Sequence, residues 1–134
     1  MIGKAGVPES ISSTAYIVER KVVYTIVLAV TGGLLLPTLI EKARVGTEWL
    51  AFLSIAGLLA VAFTPDYKTR DEVQHNIGGF LCGILSQVYV ALNDARLLLA
   101  WTPFLIYWVL FRDRNYTFWA EVTCMASVYA YCLT

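Results

Sequence analysis

Few side chains in this sequence could do chemistry. His75 is the single histidine of the 134-residue chain. With Ser86, Gln87 and Glu121 it forms a small set of polar groups set inside long apolar stretches. An imidazole and a carboxylate could pass a proton, because histidine titrates near neutral pH and a neighbouring carboxylate favours its charged form. His75, Ser86 and Gln87 could equally line a narrow polar path. A lipid-modifying enzyme would need a nucleophile and a base, and His75 with Glu121 or Ser86 is the one plausible set. A lone histidine and a lone glutamate are thin support for that chemistry. A multi-histidine metal site is excluded. Cys82, Cys124 and Cys132 match no zinc or redox spacing and read as buried structural thiols. Gly32-Gly33 and Gly78-Gly79 lack the context of a phosphate loop. The expectation is therefore no catalytic residue, no metal and no cofactor.

The helix carrying His75 is sorted by size. At ~100° per residue, His75, Gly79, Cys82 and Ser86 share a stripe ~60° wide. Gly78 and Gly83 flank it, and Gln87 lies further round. The opposite face is Ile77, Phe80, Leu81, Ile84, Leu85 and Val88. Gly79 and Gly83 form a small-x-x-x-small pair, with Gly78, Cys82 and Ser86 as a parallel ridge. Small residues let helix backbones approach closely in lipid. One reading makes Gly78, Gly79, Cys82 and Gly83 a packing face, used within one chain or between copies. The other makes His75, Ser86 and Gln87 a polar lining, with the glycines leaving room for water or substrate. The packing reading is the more ordinary use of such a face.

Glu121 lies about one turn inside the last apolar segment, at a depth similar to His75. A contact between the two is geometrically allowed and could act as a proton-sensitive latch. The alternative is an interfacial Glu121 that reaches to Arg112, Arg114 or Lys21.

The elements that must hold these groups are apolar helices. Apolar residues make up 58% of the chain and charged residues 15%, where a soluble domain has about a quarter charged. Mean hydropathy is +0.64. Ten basic and ten acidic residues leave no net pull towards phosphate, which argues against a basic nucleic-acid binder. Continuous rather than alternating apolar runs argue against a β-barrel. The spacing predicts an all-α polytopic membrane bundle with transmembrane helices near 22–40, 49–64, 75–92, 97–111 and 118–134. The fourth is short, and Thr102-Pro103 would kink it, so four spans are an alternative. Asn93-Asp94-Ala95-Arg96 suits a tight hairpin between the third and fourth.

Residues 1–134 form one membrane domain, with 1–21 as a cytoplasmic tail. Seven Lys and Arg fall on one side and three on the other. That places the N-terminus in the cytoplasm and, with five spans, the C-terminus outside. The hydroxyl-rich stretch before Glu19 could be an interfacial element, a plug beneath the bundle or a disordered tail. The loop 65–72 reads as a solvated hairpin. Trp49, Trp101, Trp108 and Trp119 read as interfacial anchors.

Ser10-Ile11-Ser12-Ser13-Thr14-Ala15-Tyr16 before the first span, Pro65 closing the second and His75 opening the third together resemble a family of small uncharacterised multi-spanning membrane proteins of bacteria and their phages. The resemblance implies a multi-spanning helical fold and no activity or site. The functional expectation is a small integral membrane protein, structural or accessory. It would self-associate through the small-residue face, with the lipid bilayer and a second copy or another membrane protein as partners. The competing expectations are a proton-linked transporter or channel near His75 and Glu121, and then a lipid-modifying enzyme.

Overall fold

A computed structural model describes residue 6 and residues 8–17, 21–111 and 115–134. Among these the secondary structure is entirely helical. A short turn, α1 (Thr14–Ile17), precedes five longer helices: α2 (Lys21–Lys42), α3 (Glu48–Phe63), α4 (Glu72–Asp94), α5 (Trp101–Phe111) and α6 (Tyr116–Leu133). A 3-10 segment, Ala95–Ala100, joins α4 to α5. Charges mark the ends: Lys21, Lys42, Glu48 and Glu72 are terminal residues of their helices. Two helical stretches are long and apolar enough to cross a membrane, Lys21–Lys42 and the run Glu72–Phe111, and Glu48–Phe63 is a shorter apolar helix.

Side-chain pairs give the directions. Thr25 of α2 bonds the carbonyl of Ala62 near the end of α3, and Gly57 of α3 meets Gly78 of α4, so these neighbours are antiparallel. Ser86 meets Cys124, and Tyr89 meets Tyr131, so α4 and α6 run parallel. The α2–α3 turn passes through Gly46 at φ 89°, a left-handed conformation that glycine adopts without a Cβ clash. The Gly46 N–H is taken by the Glu48 carboxylate at 2.7 Å.

The join after α4 differs from the expected tight hairpin. Asp94 leaves helical geometry (φ −150°, ψ 88°), and its carboxylate accepts the Arg96 N–H at 3.2 Å. Six residues of 3-10 helix then lie against α4 and α6 before α5 begins. The backbone of α5 rests on α6 and on the 3-10 segment and does not approach α4 closely. Nor does Thr102-Pro103 kink a span. Pro103 sits in the first turn of α5, where a missing N–H has no intrahelical acceptor to lose.

The core is closest between α3 and α4, which approach along Gly57, Ala60 and Gly78. Tyr89, Leu50, Val90 and Ser127 are its largest fully buried side chains. Four residues of the bulky face predicted for α4 point outward, Ile77, Phe80, Ile84 and Val88, but Leu81 lies against Gly57 of α3 and Leu85 packs on the core. Helix α5 buries no residue at all.

Candidate functional site

Helix ends leave backbone groups without intrahelical partners, and polar side chains must satisfy them wherever water is scarce. At the end where α2 finishes, Tyr89 donates its hydroxyl to the Leu39 carbonyl at 2.5 Å. Tyr131 donates to the Lys42 carbonyl at 2.6 Å. The two rings meet edge to face, with centroids 5.3 Å apart. Asn93 accepts the Arg44 N–H at 2.7 Å and donates to the Tyr89 carbonyl at 2.8 Å. Lys42 returns the favour to α6, donating to the Cys132 carbonyl at 2.8 Å.

His75 serves the opposite end. Its Nδ1 lies 3.0 Å from the Thr64 carbonyl. The Thr64 hydroxyl is also 3.0 Å from Nδ1, and a bond to the carbonyl requires the tautomer with the proton on Nδ1, since a carbonyl only accepts. Thr64 in turn donates its hydroxyl to the Ala60 carbonyl at 2.6 Å. The imidazole stacks on Tyr67 at 4.2 Å, and Tyr67 meets Tyr16 edge to face at 5.5 Å. The loop after α3 is thereby packed rather than simply solvated. Its Asp66 pairs with Lys21, and the hydrogen bond with Asp66 raises the lysine above its ordinary pKa. Residues 10–16 form hydrogen-bonded turns at this end too. Ser10 and Ser13 cross-bond each other's backbone, and Ala15 is 1% exposed.

Glu121 sits away from His75. Its Oε2 accepts the Ile11 N–H at 2.5 Å, which ties the N-terminal segment to α6. No bond joins His75 and Glu121, so the allowed contact is not made. Of the three cations considered for Glu121, Lys21 is with Asp66, and Arg112 and Arg114 lie outside the described residues.

Ser86 and Gln87 face α6. The Gln87 amide nitrogen donates to the Cys124 carbonyl at 3.2 Å. Its oxygen accepts from Trp101 Nε1 at 2.8 Å and from Ser127 Oγ at 2.9 Å. Ser86 donates to the Gly83 carbonyl at 3.0 Å. Trp101 is thus a partner of this network, not only a boundary anchor. Nothing in its sequence position at a helix start distinguishes it from the other tryptophans.

The four small residues of α4 divide. Gly78 is pressed on α3, and the Cys82 N–H side of the backbone lies against Gly57. Gly79 touches α3 loosely, and a Cβ on Gly83 would meet nothing within 4 Å. The side chain of Cys82, with Gly79 and Gly83, borders a half-open cavity of about 270 Å³, shared by α2, α3, α4, α6, the N-terminal segment and Trp101 of α5. Among the described residues its wall is apolar apart from Ser12, Tyr24, Gln87, Trp101 and Glu121. Tyr24 and Ser12 bond each other at 3.3 Å. This cavity is the candidate site. Among the described residues no group of His, Cys, Asp and Glu could hold a metal. Among the described residues Glu121 bonds the Ile11 N–H and none of Ser12, Cys82 and Cys124, and His75 lies outside the lining.

No protein-family model, no curated protein and no solved structure matches the chain.

Proposed function

We propose that the protein is a small integral membrane protein whose five longer helices lie in the bilayer, with a structural or accessory role rather than a catalytic one. The observation that carries this reading is an inverted distribution of polarity. Ser127 is 0% exposed and Ser54, Ser86, His75 and Asn93 are buried, while Leu34 is 72%, Val109 65% and Leu110 69% exposed. Apolar outer faces on α2 to α5 would be costly in water and are at home among acyl chains. Each buried polar group has a partner inside the protein, as a water-poor medium requires: His75 and Asn93 serve helix ends, and Ser54, Ser86 and Ser127 bond carbonyls within their own helices.

Gly78 already meets α3 of its own chain. Self-association would therefore use another surface, and the outer face of α5, where Leu105, Ile106, Val109 and Leu110 are exposed, is an apolar one available. The orientation with a cytoplasmic N-terminus rests on the seven-to-three bias of Lys and Arg. The test is extraction. The protein should stay with membranes at alkaline pH and high salt and leave them only in detergent. Recovery as a detergent-free soluble monomer would overturn the reading.

A proton-linked transport role draws on one specific observation, the carboxylate of Glu121 on the cavity wall. Proteoliposome flux that is lost in Glu121→Gln would favour it, and flux indifferent to that change would remove the path.

A further inference from the structure

Among the described residues the cavity wall offers one charged group, Glu121. We propose that the cavity is a binding site for a single-chain alkylamine, with the hydrocarbon chain against α3 and α4 and the protonated amine on Glu121. The volume, about 270 Å³, is nearly twice the ~150 Å³ of an apolar cavity that stays dry and takes a benzene ring. A chain of roughly ten carbons matches it on that scale. The small residues set the room: Gly83 leaves open space where any other side chain would project.

The head group follows from the polar atoms. Gln87 is committed to Trp101, Ser127 and Cys124, and the Tyr24 hydroxyl donates to Ser12. Glu121 accepts the Ile11 N–H on Oε2, and a carboxylate has capacity for further donors. In apolar surroundings it is best met by a cation that donates hydrogen bonds. The same wall repels a fatty acid's carboxylate and gives an alcohol only a neutral bond. This inference relies on the membrane reading for the source of such amphiphiles, but the site stands or falls by binding alone.

The experiment is calorimetric titration of decylammonium, decanol and decanoate into the full chain in lipid nanodiscs, with empty nanodiscs as reference. Wild type should show a saturable component of one decylammonium per chain, about tenfold tighter than decanol, and none for decanoate. Gly83→Leu should remove the component by filling the cavity. Glu121→Gln should keep chain binding and lose the preference for amine over alcohol. Absence of a saturable component in wild type overturns the proposal. So does a component that persists in Gly83→Leu, or an amine preference that survives Glu121→Gln. If Gly83→Leu fails to fold, the wild-type and Glu121→Gln titrations still decide. Extraction behaviour tests the membrane reading separately, so the two can fail independently.

Discussion

Gly57 and Gly78 touch backbone to backbone. A Cβ on Gly57 would lie 2.6 Å from both the Gly78 carbonyl oxygen and the Cys82 amide nitrogen, and one on Gly78 would lie 2.9 Å from the Gly57 carbonyl oxygen. Backbone atoms cannot swing aside as a flexible side chain can. Gly57→Ala should therefore force α3 and α4 apart and cost about 1–3 kcal/mol, the usual range for overpacking. Gly83→Ala, on the same helix as Gly78 but facing open space, should cost nothing and gain up to about 1 kcal/mol of helix propensity. Unfolding midpoints of the two variants in one detergent would check the contrast. Equal losses would contradict the geometry.

The tyrosine pair makes a second comparison. Tyr89→Phe keeps the ring contact with Tyr131 but strands the buried Leu39 carbonyl. The expected loss is about 1–3 kcal/mol, the cost of an unsatisfied buried acceptor. Tyr131→Phe frees the Lys42 carbonyl at the more accessible helix end, so its loss should be smaller, about 0.5–1.5 kcal/mol. The ordering of the two, read from equilibrium unfolding, is the informative result.

Helix positions were legible because charge is rare in this chain and falls at helix ends: 22–40 and 49–64 differ from α2 and α3 by a residue or two. The outward face of α4 was legible from its period for Ile77, Phe80, Ile84 and Val88, while Leu81 and Leu85 at its margin pack inward. The role of Gly78 was visible as a small residue, but its partner Gly57 sits in Ile55-Ala56-Gly57-Leu58, where nothing periodic marks it. Tyr89 and Tyr131 gave no signal because a tyrosine in an apolar run reads as a packing or boundary residue until its acceptor is known. Tyr89 and Asn93 do lie four apart on one face, and that spacing is the one clue to the cap at the end of α2. The 3-10 segment was missed for a local reason. Asp94 can cap its own chain by accepting the Arg96 N–H, which competes with continuing the helix into a simple turn.

That Asp94 contact carries a pH dependence. The Arg96 guanidinium, hydrogen-bonded to the carboxylate at 2.9 Å, holds Asp94 below its ordinary pKa. A depressed folded value means that the stabilisation is present above the unfolded pKa, about 3.9, and is lost as pH falls through the folded value. Asp94→Asn keeps a side-chain acceptor for the Arg96 N–H but removes the charge. The stability difference between wild type and Asp94→Asn should be flat above about pH 5 and shrink below about pH 4. Arg96 is exposed and Asp94 half-buried, so added salt should reduce the difference at neutral pH in part. Thermal midpoints across a pH series would show either trend. A difference that grows on acidification would reverse the assigned sign.

The bond from Ile11 to Glu121 spans 110 residues of sequence and fixes the N-terminal segment over the cavity, where Ile11 and Ser12 form part of the wall. The segment has other attachments. Tyr16 accepts the Lys68 N–H at 3.1 Å and meets Tyr67, so losing Glu121 should loosen one end of it and not the whole. Glu121→Leu removes the acceptor without opening space on α6. Hydrogen exchange at Ile11 should then accelerate about tenfold or more, the loss expected for a charge-assisted bond of about 1.5 kcal/mol or above. Exchange at Thr14 to Tyr16, whose N–H groups bond the turn carbonyls of residues 11 to 13, should change far less. Tyr16→Phe should give the opposite pattern, leaving Ile11 protected and loosening the contact with residue 68. If both variants release the whole segment together, it is a single cooperative flap, and Glu121 and Tyr16 are two fastenings of one closure.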